Sequence, residues 1–321
     1  MTISPSITSP SGGWAVVGAV PWIFAVGLVG YAVAAGGYMA TVVSFALIYA
    51  VFVVGLNLFM GFTAQVSFGQ NAFAAIGGYG SAVLTTMFGW EPVPAILAGV
   101  CAAVLFALVI GYPTLRLKGH YLAMATLAIG LITYEITVEW QSVTQGYMGI
   151  SGIPPLGIGK WTVTSDRGQL IVLIVIVALS LLAAARIKAS RLGRAFFAVA
   201  GSEEAARALG IDVARYKLAA FLLSAGFAAL AGSLFVHVVG FVSPEVYGLH
   251  MVILSFTMLY VGGIGTVAGP LIGALIVSLL PEAFRGFKDY QDLAYGVALI
   301  LLLIYAPRGL STLFRRREAR S

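Results

Sequence analysis

Runs of about 20 apolar residues, nearly unbroken by charge, recur from residue 14 to residue 307 and constrain this chain more than any other feature. Such a run crosses roughly 30 Å of hydrocarbon as a helix. Inside lipid every backbone polar group must be satisfied internally, so only helices and closed barrels cross. Barrel strands alternate apolar and polar positions with a period of two, and these runs do not. Charged residues make up 9% of the chain and hydrophobic residues 60%. A soluble domain carries roughly 25% charged residues, so lipid must be the solvent for much of this surface. The fold class is therefore all-α, a polytopic integral membrane helical bundle of about ten spans, short or re-entrant helices included.

The spans read at about 14–35, 38–60, 66–88, 92–112, 120–138, 168–186, 217–240, 250–263, 267–281 and 291–307. The eighth and ninth are short and separated by GGIGTVAGP, residues 262–270, whose Gly and Pro break helices. They are two short crossings or one re-entrant pair. The third run is Gly-rich and a doubtful straight helix. The formal charge of +6 would suit nucleic acid, but the basic residues sit beside spans, as topology signals do. Arg116 and Lys118 lie in loop 113–119, and Arg186, Lys188, Arg191, Arg194, Arg207, Arg215 and Lys217 in loop 186–217. Arg308, Arg315, Arg316, Arg317 and Arg320 follow the last run. With ten crossings these 14 of the 18 basic residues fall on one side, leaving Lys160, Arg167, Arg285 and Lys288 on the other. The imbalance favours an even number of crossings with both termini in the cytoplasm. The first basic residue is Arg116, so the N-terminus lacks a signal peptide's basic region and the first run reads as a retained helix. The single cysteine, Cys101, lies in an apolar run and reads as a small buried residue.

Two loops are long. Residues 139–167 are rich in Gly and Pro and suit a rim or docking element, and residues 187–216 form the long polar stretch with helical character. Within the latter, SEEAARALGIDVARYK (202–217) opens with Ser202 and two acids, a capping side chain with negative charge in the first turn. Gly210 stands where a C′ residue stops a helix, and Asp212 where a second helix is capped. Glu203, Ala206, Arg207 and Gly210 share one side by their spacing. The helix either lies on anionic lipid or receives a push from a cytoplasmic partner.

The segment resembles a known family. Glu204, Ala205 and Ala206, with Gly210 ending the segment, look like the EAA loop of ABC importer permeases, although the Leu-Pro ending of the longer consensus is absent. EEAARALGIDVARYKLAAFLLSAGFAALAGSLF, GLNLFMGFTAQVSFGQNAFAAIGGYGSA (55–82), LRLKGHYLAMATLAIG (115–130), SGIPPL (151–156), GGIGTVAGPLIGALIVSLLPE (262–282) and APRGL (306–310) resemble the LivM-type permease subunits of branched-chain amino acid ABC importers. The resemblance covers nearly everything after residue 40. It implies a single transmembrane permease domain over 1–321, with 187–216 as the coupling segment. Glu203, Glu204, Ala205, Ala206, Arg207 and Gly210 would then couple to the ATPase. The implied setting is the bacterial inner membrane, and the implied partners are a LivH-like sister permease, two cytoplasmic ATPase subunits and a periplasmic solute-binding protein. ATP and Mg would be bound by the ATPase subunits. No G-x-x-x-x-G-K-[ST] phosphate loop occurs in this chain.

Polar groups within apolar runs are costly in lipid and mark either a passage or bonds between helices. Asn57, Gln65, Ser67, Gln70 and Asn71 are the densest such set, beside Gly61, Gly69, Gly77, Gly78 and Gly80, which permit unwound backbone. Gly265, Gly269 and Gly273 recur every four residues, which suits close helix packing. Glu135 and Glu139 could meet a substrate ammonium or form a solvated face. His120, His237 and His250 are scattered without metal-ligand spacing, and no catalytic constellation is present, so neither a metal site nor an enzyme is expected. The alternative class is an ion-coupled secondary transporter, which would need carboxylates inside the spans. Within the family, urea, amides or aromatic acids are alternative solutes to branched-chain amino acids.

Overall fold

The computed structural model describes residues 37–158 and 161–284, together with Gly30, Gly296, Val297 and Ile300. Apart from those four residues, the first and last apolar runs, and with them the basic tail, lie outside the described residues. The elements are α1 (Gly37–Thr63), α2 (Gln70–Thr86), α3 (Pro92–Thr114), α4 (His120–Glu139), α5 (Gln141–Thr144), α6 (Asp166–Ala189), α7 (Arg191–Gly201), α8 (Glu203–Ala208), α9 (Val213–Val239), α10 (Leu249–Gly262) and α11 (Gly269–Ala283). Four two-residue strands lie between helices: β1 (Ile150–Ser151), β2 (Gly157–Ile158), β3 (Trp161–Thr162) and β4 (Phe241–Val242).

Among the described residues five helices, α1, α3, α4, α6 and α9, are long and apolar enough to cross a membrane. The 27-residue α1 is apolar all round, and a helix of that kind belongs in the interior. It packs against α6, α9 and α11, and 83% of its most apolar stretch is buried. By contrast α3 and α6 bury only 28% and 33% of theirs and form the periphery. Cys101 sits on the exposed face of α3, not inside the protein as its apolar run suggests. The run is apolar because that face meets lipid or another apolar surface.

Small residues set the central crossings. A side chain at Gly77 would strike the backbone of Ala229, and one at Gly232 the backbone of Ala74, so α2 and α9 touch nearly backbone to backbone. The third apolar run is helical only from Gln70. Residues 64–69 form an irregular connection in which Ala64 adopts φ 55°. Gly77, Gly78 and Gly80 lie within helix α2 and serve packing; they do not unwind the backbone.

The eighth and ninth runs form a helical hairpin. At about 1.5 Å per residue, α10 and α11 are each roughly 22 Å long. A Cβ at Gly273 would collide with Met258, and one at Gly262 with Gly269, so these glycines bring the two arms together. Gly269 and Gly273 thus pack as their spacing predicts, whereas Gly265, with φ 76°, sits in the turn. The hairpin opens at the end of the bundle where the Tyr38 hydroxyl donates to Glu282 Oε2 (2.8 Å). Its tip reaches toward the opposite end.

The long segment 139–167 folds down onto the bundle. β1 pairs antiparallel with β4, Ile150, Ile153 and Leu156 are buried, and His237 bridges Ser81 Oγ and the Pro154 carbonyl, both at 2.7 Å.

Candidate coupling and translocation site

The two loops that carry most of the basic residues among those described meet at one end of the bundle. Arg116 and Lys118 follow α3, and with Glu203, Arg207, Arg215 and Lys217 they line a cleft of about 460 Å³. Helix α8 lies across this end with both termini closed. Ser202 Oγ accepts from the Ala205 amide (3.2 Å). At the other terminus Gly210 (φ 81°) donates to the Arg207 carbonyl (2.9 Å), and Ile211 to the Ala206 carbonyl (3.0 Å). This pair of bonds is the Schellman stop. Ala206 packs with Val199 and Val213 under that turn. Asp212 Oδ1 accepts from the Arg215 amide (3.2 Å) and starts α9. The short helix is therefore fixed at both ends and fused to a spanning helix.

Glu203 ties α8 to the interior. Its carboxylate is paired with Lys217, a lysine only 3% exposed one turn into α9. Gln65 Nε2 donates to the same carboxylate (3.3 Å) and to the Thr63 carbonyl (3.2 Å). Arg207 stands 3.7 Å away. Burial opposes ionisation of Glu203, but the hydrogen bond and charge of Lys217, with the charges of Lys118 and Arg207, hold it below the ordinary carboxylate range. Glu203 thereby links α8 to α9 and to the irregular segment 64–69.

The four residues aligned by spacing do not share one environment. Glu203 and Ala206 face the bundle, whereas Glu204, Ala205, Arg207, Ala208 and Leu209 face outward, Leu209 at 80% exposure. The outward set is the part a docking partner can reach.

The five polar residues proposed for a passage separate into three groups. Asn57 is buried and clamps the hairpin tip, its Nδ2 donating to the Thr266 carbonyl and its Oδ1 accepting from the Gly265 amide, both at 2.8 Å. Lys188, at the end of α6, donates to the Gly265 carbonyl (2.7 Å). Gln65 belongs to the Glu203 network. Ser67, Gln70 and Asn71 remain at the start of α2. Asn71 Nδ2 donates to the Tyr247 carbonyl (2.9 Å). Asn71 Oδ1, Ser67 Oγ and both amide atoms of Gln70 find no hydrogen-bond partner among the described residues. Unpaired buried polar atoms of this kind each cost about 1–3 kcal/mol; three of the four lie in the first turn of α2 and the fourth, Ser67 Oγ, in the connection before it.

Sequence reading missed two residues, Lys188 and Lys217, because it counted both as topology signals. Lys217 carried a hint: it is followed directly by an apolar run in which an unpaired ammonium would be costly. Glu135 and Glu139 lie on the exposed side of α4. Among the described residues no group of His, Cys, Asp or Glu is placed to hold a metal ion.

Apolar helices long enough to span a membrane, with a short capped helix tied to the core of the bundle, suit a multi-pass membrane permease subunit. The chain belongs to the family of permease components of branched-chain amino acid transport systems, whose sequence model matches residues 38–306. It is 33% identical over 295 residues to the high-affinity branched-chain amino acid transport system permease protein LivM of Escherichia coli K12, covering 84% of this chain and 69% of that protein. It is 26% identical over 280 residues to the LivH permease of Salmonella typhimurium, covering 82% of this chain and 90% of that one. To the BraD permease of Pseudomonas aeruginosa it is 27% identical over 281 residues. The chain is a permease subunit of an ABC importer of this family.

Proposed function

We propose that this permease imports branched-chain amino acids across the bacterial inner membrane, driven by ATP hydrolysis on partner subunits. In this reading two cytoplasmic ATPase subunits, which hold ATP and Mg, dock on the outward face of α8. A LivH-like sister permease completes the passage, and a periplasmic binding protein delivers the solute. The similarity of one chain to both LivM and LivH relatives suits a pair of sister permeases built on one plan. The described residues form one permease domain, with 187–216 as the coupling segment and no reaction of its own.

The observation that carries the proposal is the Glu203–Lys217–Gln65 network, because it joins an exposed, capped helix to buried elements. Motion of the ATPase against Glu204, Ala205, Arg207, Ala208 and Leu209 then reaches α9 and residues 64–69, whose neighbours Gln70 and Asn71 carry the unpaired amides. Neutral donors and acceptors suit a zwitterionic solute that must be passed on, since a fixed charge would retain it. Basic residues near the coupling end suit a cytoplasmic location for that end and, with an even number of crossings, for both termini. The test is copurification from detergent followed by uptake of a radiolabelled panel. The proposal expects an ATPase and a second permease in the complex, with leucine, isoleucine and valine taken up ahead of urea, amides and aromatic acids. A chain that purifies alone and transports without ATP removes it.

A further inference from the structure

The cleft beside α8 has a chemistry that coupling alone does not use. Its walls carry five cations, Arg116, Lys118, Arg207, Arg215 and Lys217. Three of these are matched by carboxylates: Lys217 and Arg207 by Glu203, and Arg215 by Asp212 at 2.8 Å. Arg116 and Lys118 have no carboxylate at salt-bridge distance among the described residues, although the Lys118 charge acts on Glu203 from farther away. The Arg116 guanidinium lies 4.5 Å over the Tyr112 ring, which places it at the lip of the cleft. Directly below the lip, Leu105, Leu108, Val109 and Tyr112 form one exposed face of α3 at i, i+3, i+4 and i+7 spacing, Val109 at 72% exposure. A basic hollow thus sits at the end of an apolar stripe that runs along a spanning helix.

We propose that this cleft binds the phosphate headgroup of an anionic phospholipid, with its acyl chains lying along the α3 stripe. Arg116 and Lys118 hold the phosphate, and the headgroup rests against α8 and the start of α9. The stripe lies on a helix long enough to span the membrane, so a headgroup held in the cleft is continuous with acyl chains along that helix. Basic hollows at the membrane surface attract anionic headgroups by such charge.

The test is lipid retention, measured by native mass spectrometry on the purified complex after exchange into detergent with phosphatidylglycerol or phosphatidylcholine. The proposal expects retention of phosphatidylglycerol over phosphatidylcholine. It expects the double variant Arg116→Gln/Lys118→Gln to lose about thirtyfold in that retention, and Arg116→Lys/Lys118→Arg to keep it. Equal retention of the two lipids by the native complex, or unchanged retention by the glutamine variant, overturns it. Displacement by millimolar inorganic phosphate assigns the cleft to a free anion and also overturns it. So does retention by the isolated permease that disappears when ATPase subunits are bound, which would give the cleft to the partner protein. The readout is binding and not transport, so its failure leaves the import proposal standing.

Discussion

Lys217 is buried one turn into α9, and the Glu203 carboxylate makes that burial tolerable. Removing one partner of such a pair leaves a charge uncompensated, at a cost of about 3 kcal/mol. Glu203→Ala should therefore lower the thermal stability of the complex and uncouple uptake from ATP hydrolysis. The double variant Glu203→Ala/Lys217→Met should regain most of the stability and none of the coupling. Recovery of both would reduce the pair to a structural role. The same carboxylate predicts a pH dependence. Its folded pKa is lowered from 4.5, so its stabilisation is complete above that value and lost only as pH falls through the lower folded one. The difference in melting temperature between native protein and Glu203→Gln should accordingly stay constant from pH 8 to pH 5 and shrink only in stronger acid. Gln70 predicts the opposite balance. Its amide is buried without a partner, so Gln70→Leu should leave stability unchanged or raise it while slowing uptake. Lost stability with normal turnover would make Gln70 a packing residue. Proximity in sequence placed Asn57, Gln65 and Gln70 in one set. Their separate roles were not legible there, because each is decided by a partner 138 to 209 residues away or by having none.

Helix α8 was legible in detail, because caps are local: Ser202, Gly210 and Asp212 do what their spacing predicts. Which side of the six-residue helix turns inward was not, since that follows from the distant Lys217. Gly210→Pro cannot adopt φ 81° and removes the amide that bonds Arg207. It should abolish uptake while membrane insertion, followed by fractionation, stays normal. At the α10–α11 hairpin the sequence left two crossings and a re-entrant pair equally open. The tip is fixed by Asn57 and Lys188, from helices far away in the chain. Asn57→Leu leaves the Gly265 amide without its partner and should lower thermal stability by about 1–3 kcal/mol, in contrast to Gln70→Leu. A neutral melting shift would mean that the clamp does not hold the hairpin.

At the scale of the molecule, the hydrophobic pattern was enough for the fold class, because lipid imposes it without tertiary detail, and the positions of the basic residues predict which end faces the cytoplasm. Sidedness is checked by cysteine labelling after Cys101, which is exposed, has been replaced by serine. A cysteine at Met148 should label in intact cells, and one at Arg194 only after permeabilisation; the reverse would invert the topology. The central claim is that ATP hydrolysis, received at α8, drives solute inward through this chain and its sister permease. ATP-driven accumulation of radiolabelled leucine by proteoliposomes holding the whole complex and its binding protein tests it most directly. The account predicts accumulation that requires ATP on the side of α8, persists when ion gradients are collapsed, and is lost in Glu203→Ala. Leucine entry that follows an imposed proton or sodium gradient and ignores ATP would contradict it.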